Sequence, residues 1–553
     1  MNNSLDRELL KICRKNRLTG ANIALYDNEK IIYSFNFGYA NKAQKRKSTN
    51  DSLYMIGSNT KVMTALGIFK LMEDGVLSLD DDIRKFIPEF EIKSEFEYES
   101  ITIENLLMHR AGLQCDLFDL ILDRNRDFHE TVGELKNTYL TEKPGKMFAY
   151  SNVGYTVLGI IIERASGQTY QDYIEKVIAE PLGIKIHFLQ TDAERTPFSS
   201  TVSLSYDKKG NEVEDKLFTM LPAGSNTYIS MNDFVKFGQI FLNKDNTIFR
   251  KGTLELMETL NVSEPLDREI AMAGYCLAHN AFNFGKNTGK VWGHGGGTIC
   301  HHSFFSYIPD RNVGAMVMTN NERGNKVATA LGLKAITNYL KSKGLIRGRL
   351  SFEHKHVRTN CDKYLGRFAT ISGLIDIRKN CRGELVTKIA GLSVKLIPCE
   401  DGFLQCCPNS LLLKLPVFKK VIMCMRLKTA DYDGEEVLIL EKTSEYSKNL
   451  NIIGCRYTEI KIPQTFEKAC GRYEVASENL KNMSADCSLG IEDGALILKI
   501  NALNSKFNIC LKPVSDNLAF TQGFGRMARE AVTLCENKDG FYLTYSGIVF
   551  KKS

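Results

Sequence analysis

Three short stretches of this 553-residue chain carry side chains that could do nucleophilic chemistry together. The first is Ser58-Asn59-Thr60-Lys61. A serine hydroxyl is a weak nucleophile at neutral pH and needs an adjacent base. A buried lysine can be that base when desolvation and its neighbours lower its pKa. On a helix, a spacing of three puts Lys61 about one turn from Ser58 on the same face. A helix start also favours negative charge developing at the serine. The second stretch, Tyr150-Ser151-Asn152, sets a phenol and a carboxamide two residues apart behind a Pro144-Gly145 turn. The third, Gly293-His294-Gly295-Gly296-Gly297, is the densest glycine run in the chain. None is specific alone, because Ser and Lys fall three apart by chance in most proteins of this length.

The elements that would position them can be read around each stretch. Val62, Met63, Ala65, Leu66, Ile68, Phe69, Leu71 and Met72 are apolar almost all round a helix, which predicts a buried one stopped at Asp74-Gly75. Residues 4–18 predict a short polar helix, and Ala21 to Tyr26 with Lys30 to Phe37 a hairpin. Thr102 to His109 predicts a short capped helix, and Val153 to Arg164 an apolar one closed at Ser166-Gly167. The glycine run follows strand-like Lys290-Val291-Trp292 and precedes strand-like Ser303 to Ile308 and Gly314 to Thr319. Residues 325–343 predict a closing helix. Strands at both ends of the first 345 residues, with helices between, predict an α+β fold: an antiparallel sheet from distant parts of the chain, flanked by helices, with a helical insertion.

Residues 341–358 are basic and read as a solvated linker. Beyond about residue 360 the pattern changes to short strands and turns that repeat. Gly366-Arg367-Phe368 recurs as Gly471-Arg472-Tyr473, Gly383-Glu384-Leu385-Val386 as Gly494-Ala495-Leu496-Ile497, and Pro398 as Pro513. Two small all-β, barrel-like modules follow from this doubling. The expected division is 1–345, 346–460 and 461–553, with the modules shaping access to the site.

Composition is that of a soluble globular protein, 43% hydrophobic and 25% charged. The formal charge of +7 is spread along the chain and gives no argument for nucleic acid. Of fifteen cysteines, eleven lie from Cys361 onward and none forms a C-x-x-C pair, so reduced, mostly buried thiols are expected rather than a zinc site. No run of 18 apolar residues suggests a membrane span, and Met1 to Glu8 has no secretory apolar segment. A cytoplasmic location is expected.

In chain order, the three stretches resemble the serine hydrolases of the β-lactamase and penicillin-binding-protein superfamily, which use S-x-x-K, Y-x-N and K-T-G or H-x-G. The nearest likeness is to class C β-lactamases, D-alanyl-D-alanine carboxypeptidases, D-aminopeptidases and related esterases. Leu106 to Leu113 is similar to that family's L-L-x-H-x-x-G-L, Pro144 to Asn152 to its P-G-x-x-F-x-Y-S-N, and Pro222-Ala223-Gly224 fits as well. The likeness covers roughly residues 1–345. D-aminopeptidases of this kind also carry two C-terminal β-barrels.

The resemblance implies that Ser58 attacks an acyl carbonyl while Lys61 and Tyr150 share acid and base duties. A tyrosine beside two cations can approach its phenolate. Asn152 would hold Lys61 or a substrate amide. Backbone N–H groups of Ser58 and Gly297 would form the oxyanion hole, and the glycines after His294 would let a substrate approach closely. No metal or organic cofactor is expected, and His109, His301 and His302 read as structural. His294 stands where the lactamases have lysine, and a neutral histidine binds a carboxylate less well. That predicts poor β-lactamase and carboxypeptidase action and suits an aminopeptidase, amidase or esterase. The expected substrates are small peptides, amides or esters, with D-residues included, and the chain is compatible with a homo-oligomer. The rivals are an acyltransferase of the same fold and a non-catalytic binding protein on a degenerate hydrolase fold.

Overall fold

The computed structural model describes residues 2–553 apart from 216, 218–219, 245, 251, 260–273, 280–283, 285–287, 347–353, 390, 410–415, 444–447, 478–479, 481–484 and 503–504. Arg347 and Arg349 of the expected linker therefore lie outside the described residues.

A seven-stranded antiparallel sheet draws on both ends of the first 320 residues. Its order is Arg46–Lys47, Ile31–Asn41, Gly20–Tyr26, Val313–Thr319, His302–Ile308, Trp292–Gly297 and Ala278–His279. The central pair runs in register from Ala21 opposite Thr319 to Tyr26 opposite Gly314. Both strands are buried on both faces. The period of two sorts their side chains. Ala21, Ile23 and Leu25, with Val313, Ala315 and Val317, face the terminal helices Asn2–Lys15 and Gly324–Ser342. Ala24, Tyr26, Met316 and Met318 face the larger, helical core.

At the centre of that core lies the helix Thr60–Glu73, twelve of whose fourteen residues are buried. It begins as a 3-10 turn over Gly57–Asn59, which puts Ser58 one residue pair ahead of the α-helix. Against it packs the helix Asn152–Ser166, capped by the Ser151 hydroxyl and closed by left-handed Gly167. The short helix Ile103–Leu107 carries a full capping box between Thr102 and Asn105. One expectation shifts: the strand is not Lys290-Val291-Trp292 but starts at Trp292 and runs through the glycines to Gly297. The reason is space, since a Cβ on Gly296 would lie 1.9 Å from the Ile56 carbonyl oxygen.

The repeated half folds as two closed eight-stranded barrels, from Gly366–Thr370 to Lys448–Arg456 and from Gly471–Val475 to Ile548–Lys552. Each repeated Gly-Arg-aromatic triplet opens the first strand, and its aromatic residue, Phe368 or Tyr473, enters the barrel core. Pro398 and Pro513 each end the fourth strand. All fifteen cysteines are free thiols.

Candidate active site

The Ser58 turn is built by backbones pressed together. Gly57 adopts φ +54°, and a Cβ there would come 2.5 Å from the Gly297 nitrogen. A Cβ on Gly224 would come 2.7 Å from the Ser58 nitrogen. Only glycine allows these approaches. Asn59 secures the turn from below: its amide donates to Ser303 Oγ at 2.7 Å, and that hydroxyl donates to the Ile56 carbonyl at 2.6 Å. Ser58 itself is partly exposed to the cleft, while Lys61 is fully buried.

Lys61 Nζ donates to Ser58 Oγ at 3.2 Å, to Asn152 Oδ1 at 2.7 Å and to the Ala223 carbonyl. Burial, joined by the nearby Arg526 guanidinium, lowers its pKa to about 7. A lysine in that state is a usable base at neutral pH. Its ammonium or amine stands 5.1 Å from the centre of the Tyr150 ring.

Tyr150 sits in a loop stitched to residues 109–115. Ala149 N–H donates to the His109 carbonyl at 2.8 Å, Ser151 N–H to His109 Nδ1 at 3.0 Å, and Asn152 N–H to the Cys115 carbonyl at 2.8 Å. The His109 ring backs Tyr150 with centroids 4.3 Å apart. So His109 is structural, as its context predicts, but it forms a wall of the site. His301 accepts from the Met55 N–H at 3.3 Å and packs against Tyr54 and Tyr228. The tyrosine does not approach its phenolate. Burial outweighs the hydrogen bond with Ser58 and the charge of Arg526, and its pKa is raised above the ordinary phenol value. It is a neutral hydroxyl facing the serine.

His294 lies in the strand beside this group, its ring centroid 6.3 Å from that of Tyr150. Burial and Lys61 lower its pKa to about 4. It is neutral, and its Nδ1–H donates to the Gly295 carbonyl at 2.6 Å. Gly295 and Gly297 are exposed on the cleft side of the strand and Gly296 is half-buried. The structure therefore brings Ser58, Lys61, Tyr150, Asn152, His294 and the glycines to one place.

Two residues there escape a reading of motifs. Asp116, 2% exposed at its side chain, accepts from Asn152 Nδ2 at 2.5 Å and from Arg526 Nη2 at 2.7 Å. Burial raises its pKa, yet Arg526 and these hydrogen bonds bring it net below the usual carboxylate range. Arg526 comes from the second barrel and lies 6.0 Å from the Tyr150 ring centre. The second barrel thus reaches the polar network of the cleft, and a chain of contacts runs Ser58, Lys61, Asn152, Asp116, Arg526. The available signal was Gly523-Phe524-Gly525 ahead of an arginine between two strands.

The loop that carries Arg526 is held firmly. Gly523, Gly525, Met527 and Arg529 all have positive φ, from +63° to +130°. Such strain persists only where the surroundings over-determine it. Here Arg529 donates to Glu142 at 2.5 Å, Cys115 N–H donates to Glu530 at 3.0 Å, and Phe118 N–H donates to the Ser546 carbonyl at 2.8 Å.

The family model described as Beta-lactamase matches residues 5–336. Protein flp of Staphylococcus aureus (strain N315) is 31% identical over 210 residues, 37% of this chain and 41% of that protein. Penicillin-binding protein 4* of Bacillus subtilis (strain 168) is 36% identical over 162 residues, 28% of this chain and 34% of that protein. The chain thus spans less than half the length of these curated relatives. Among solved structures, the octameric penicillin-binding protein homologue from Pyrococcus abyssi aligns with a TM-score of 0.54 at 24% identity, over 82% of this chain and 99% of that one. SurE aligns with a TM-score of 0.57 at 20% identity, over 81% and 98%. A class C β-lactamase from Rhodobacter sphaeroides aligns with 0.52 at 16% identity, over 61% and 100%. These neighbours share the fold. With a family model matching well over half of its residues, the chain belongs to the β-lactamase family.

Proposed function

We propose that this chain is a serine hydrolase that works through an acyl-enzyme on small peptides, amides or esters. The observation that carries the proposal is the buried Lys61 amine, lowered to about 7 and 3.2 Å from Ser58 Oγ. In this reading neutral Lys61 takes the Ser58 proton as the oxygen attacks the acyl carbon. Charge developing on the carbonyl oxygen is met by the backbone N–H groups of Ser58 and Gly297. Tyr150, a neutral phenol, passes a proton to the leaving group and is reprotonated from Lys61. Water then repeats the sequence in reverse and releases the acid. Asn152 holds the lysine in place, with Asp116 and Arg526 behind it.

The charges in the cleft narrow the substrate. His294 is neutral, and Arg526 is paired with Asp116. Neither a free ammonium nor a carboxylate beside the scissile bond meets an uncompensated countercharge, so esters and N-acylated amides suit the site better than β-lactams or free-amine peptides. D-configured residues fall within this reading, and SurE, a neighbour in fold, was solved with D-Leu.

The test is an alkyl fluorophosphonate followed by intact-mass and peptide mapping, alongside a panel of nitrophenyl esters, aminoacyl anilides and nitrocefin. Labelling at Ser58 and hydrolysis of esters, both lost in Ser58→Ala, are expected. Labelling at another serine, or nitrocefin turnover equal to that of the best ester, would refute the assignment.

A further inference from the structure

The strand order of the second barrel puts one of its ends against the catalytic cleft. The turn at Ser546-Gly547 and the loop 522–530 lie at the same end, because each joins strands running the same way round an antiparallel barrel. Both touch the segment Cys115–Phe118 of the catalytic part. The short helix Phe118–Ile121 sits over that mouth, and Phe118 and Leu122 pack on the barrel's own core.

One cavity of about 680 Å³ joins the two, a size typical of small-molecule sites. Its lining includes Lys208, Glu322 and Arg323, and also Ser58, Asn152 and Gly297. The Asp116–Arg526 pair, which links Asn152 to the second barrel, forms a neck. On the barrel side the lining is apolar and includes Phe118, Ile121, Met527, Tyr545, Ile548 and Phe550. The last three belong to the inward face of the second barrel. A closed barrel of eight strands has an interior just wide enough for its side chains or one small ligand, so this mouth can take a narrow chain but not a second domain.

We infer that the mouth of the second barrel is a binding site for an elongated apolar substituent of the substrate, an alkyl or acyl chain of several carbons. This deepens and rests on the acyl-enzyme reading: the carbonyl lies at Ser58, the uncharged chain passes the ion-paired neck, and a polar head remains toward Lys208 and Arg323. The neck suits such a passage because Asp116 and Arg526 cancel each other's charge. The substrate class is then an amphiphilic ester or N-acyl amide rather than a short polar peptide.

The experiment uses the full-length chain and two ester series. Nitrophenyl alkanoates from acetate to decanoate lengthen the acyl side, and alkyl acetates from ethyl to decyl lengthen the alcohol side. Each methylene buried in the mouth is worth about 0.8 kcal/mol, or about fourfold. In one of the two series kcat/KM is expected to climb by a few-fold per methylene to about eight carbons, and that series tells which side of the scissile bond enters the barrel. Met527→Trp, in the loop, and Ile548→Trp, in the wall, are expected to flatten the climb, with thermal unfolding confirming that each is folded. A binding measurement independent of catalysis accompanies them: calorimetric titration of Ser58→Ala with octanamide and butanamide, where more than about a tenfold preference for octanamide is expected. Flat ester series together with equal amide affinities would overturn the inference. A strong octanamide preference in a chain that no fluorophosphonate labels at Ser58 would instead keep the site and overturn the hydrolase reading.

Discussion

The two C-terminal barrels have the same strand number and the same sequence repeat, yet they stand in different relations to the Ser58 cleft. The first meets the catalytic part through a strand-turn at its edge, where Arg110 donates to the Tyr432 hydroxyl at 3.3 Å and Lys146 lies 3.7 Å from Asp433. Its most costly polar group is internal: Arg426 is buried between Asp401 and Glu441, each at 2.6 Å. The second barrel spends its strain and its buried charge outward, on a loop that delivers Arg526 to Asp116 and Glu530 to the Cys115 N–H. The same architecture occurs twice, and the first barrel lends the cavity only Ile371 among its described lining, whereas the loop of the second wires it to the polar network of the site.

That contrast can be broken by substitution. The reference is the proposed base: Lys61→Ala is expected to lower kcat by about 10²–10⁴, the usual range for lost acid–base help. Turnover within tenfold of the parent would remove Lys61 from its role. Next comes the second barrel. Arg526 helps to hold the Lys61 pKa down, so Arg526→Gln moves the acid limb of the kcat/KM profile, normally near pH 7, to higher pH. A shift of one unit would cost about tenfold at pH 6. An unmoved limb would mean that the arginine only braces the loop.

Glu530 sharpens the contrast through stability. Burial raises its pKa to about 7. The folded chain then binds this proton more tightly than the unfolded chain, so its contribution is full below about pH 4.5 and is lost as pH rises through about 7. The cost at pH 8 is on the order of 3 kcal/mol. Glu530→Gln should flatten the decline in unfolding temperature between pH 5.5 and 8, and an unchanged slope would contradict the assignment. The smallest effect on catalysis belongs to the first barrel. Arg426→Met leaves Glu441 buried without its arginine and is expected to cost about 3–5 kcal/mol of stability, with kcat/KM within twofold in the material that remains folded. A moved acid limb in this variant would erase the distinction between the barrels.

The same contrast explains what was legible in the chain. Ser58 and Lys61 are neighbours on one helix, so their spacing of three is already geometry. Tyr150, Asn152 and His294 carry enough motif around them to be found at a distance. The barrels announce themselves through a repeat, and the central strands through their apolar runs. Asp116 and Arg526 could not be paired this way, because nothing local ties two residues more than 400 positions apart. The neutral state of Tyr150 is hidden from the sequence for a related reason. Nearby cations can be inferred from a motif, but the degree of burial that outweighs them depends on groups such as His109 and Arg526 lying against the ring.

The pairing of Ala21 with Thr319 has a consequence for how the chain reaches activity. The central strand of the sheet is made early in synthesis, and its partner arrives some three hundred residues later. Until then Gly20–Tyr26 has one open edge, and the Ser58 turn lacks Gly297 and Ser303, the groups that seat it. Long-range strand pairing of this kind is slow to form and leaves an aggregation-prone edge while it waits. The Ser58 turn therefore cannot be seated before Gly297 and Ser303 have been made. Strands that emerge late in the family-matched region are also the ones that seat the Ser58 turn, so a chain cut short before Gly297 can neither close its sheet nor seat that turn.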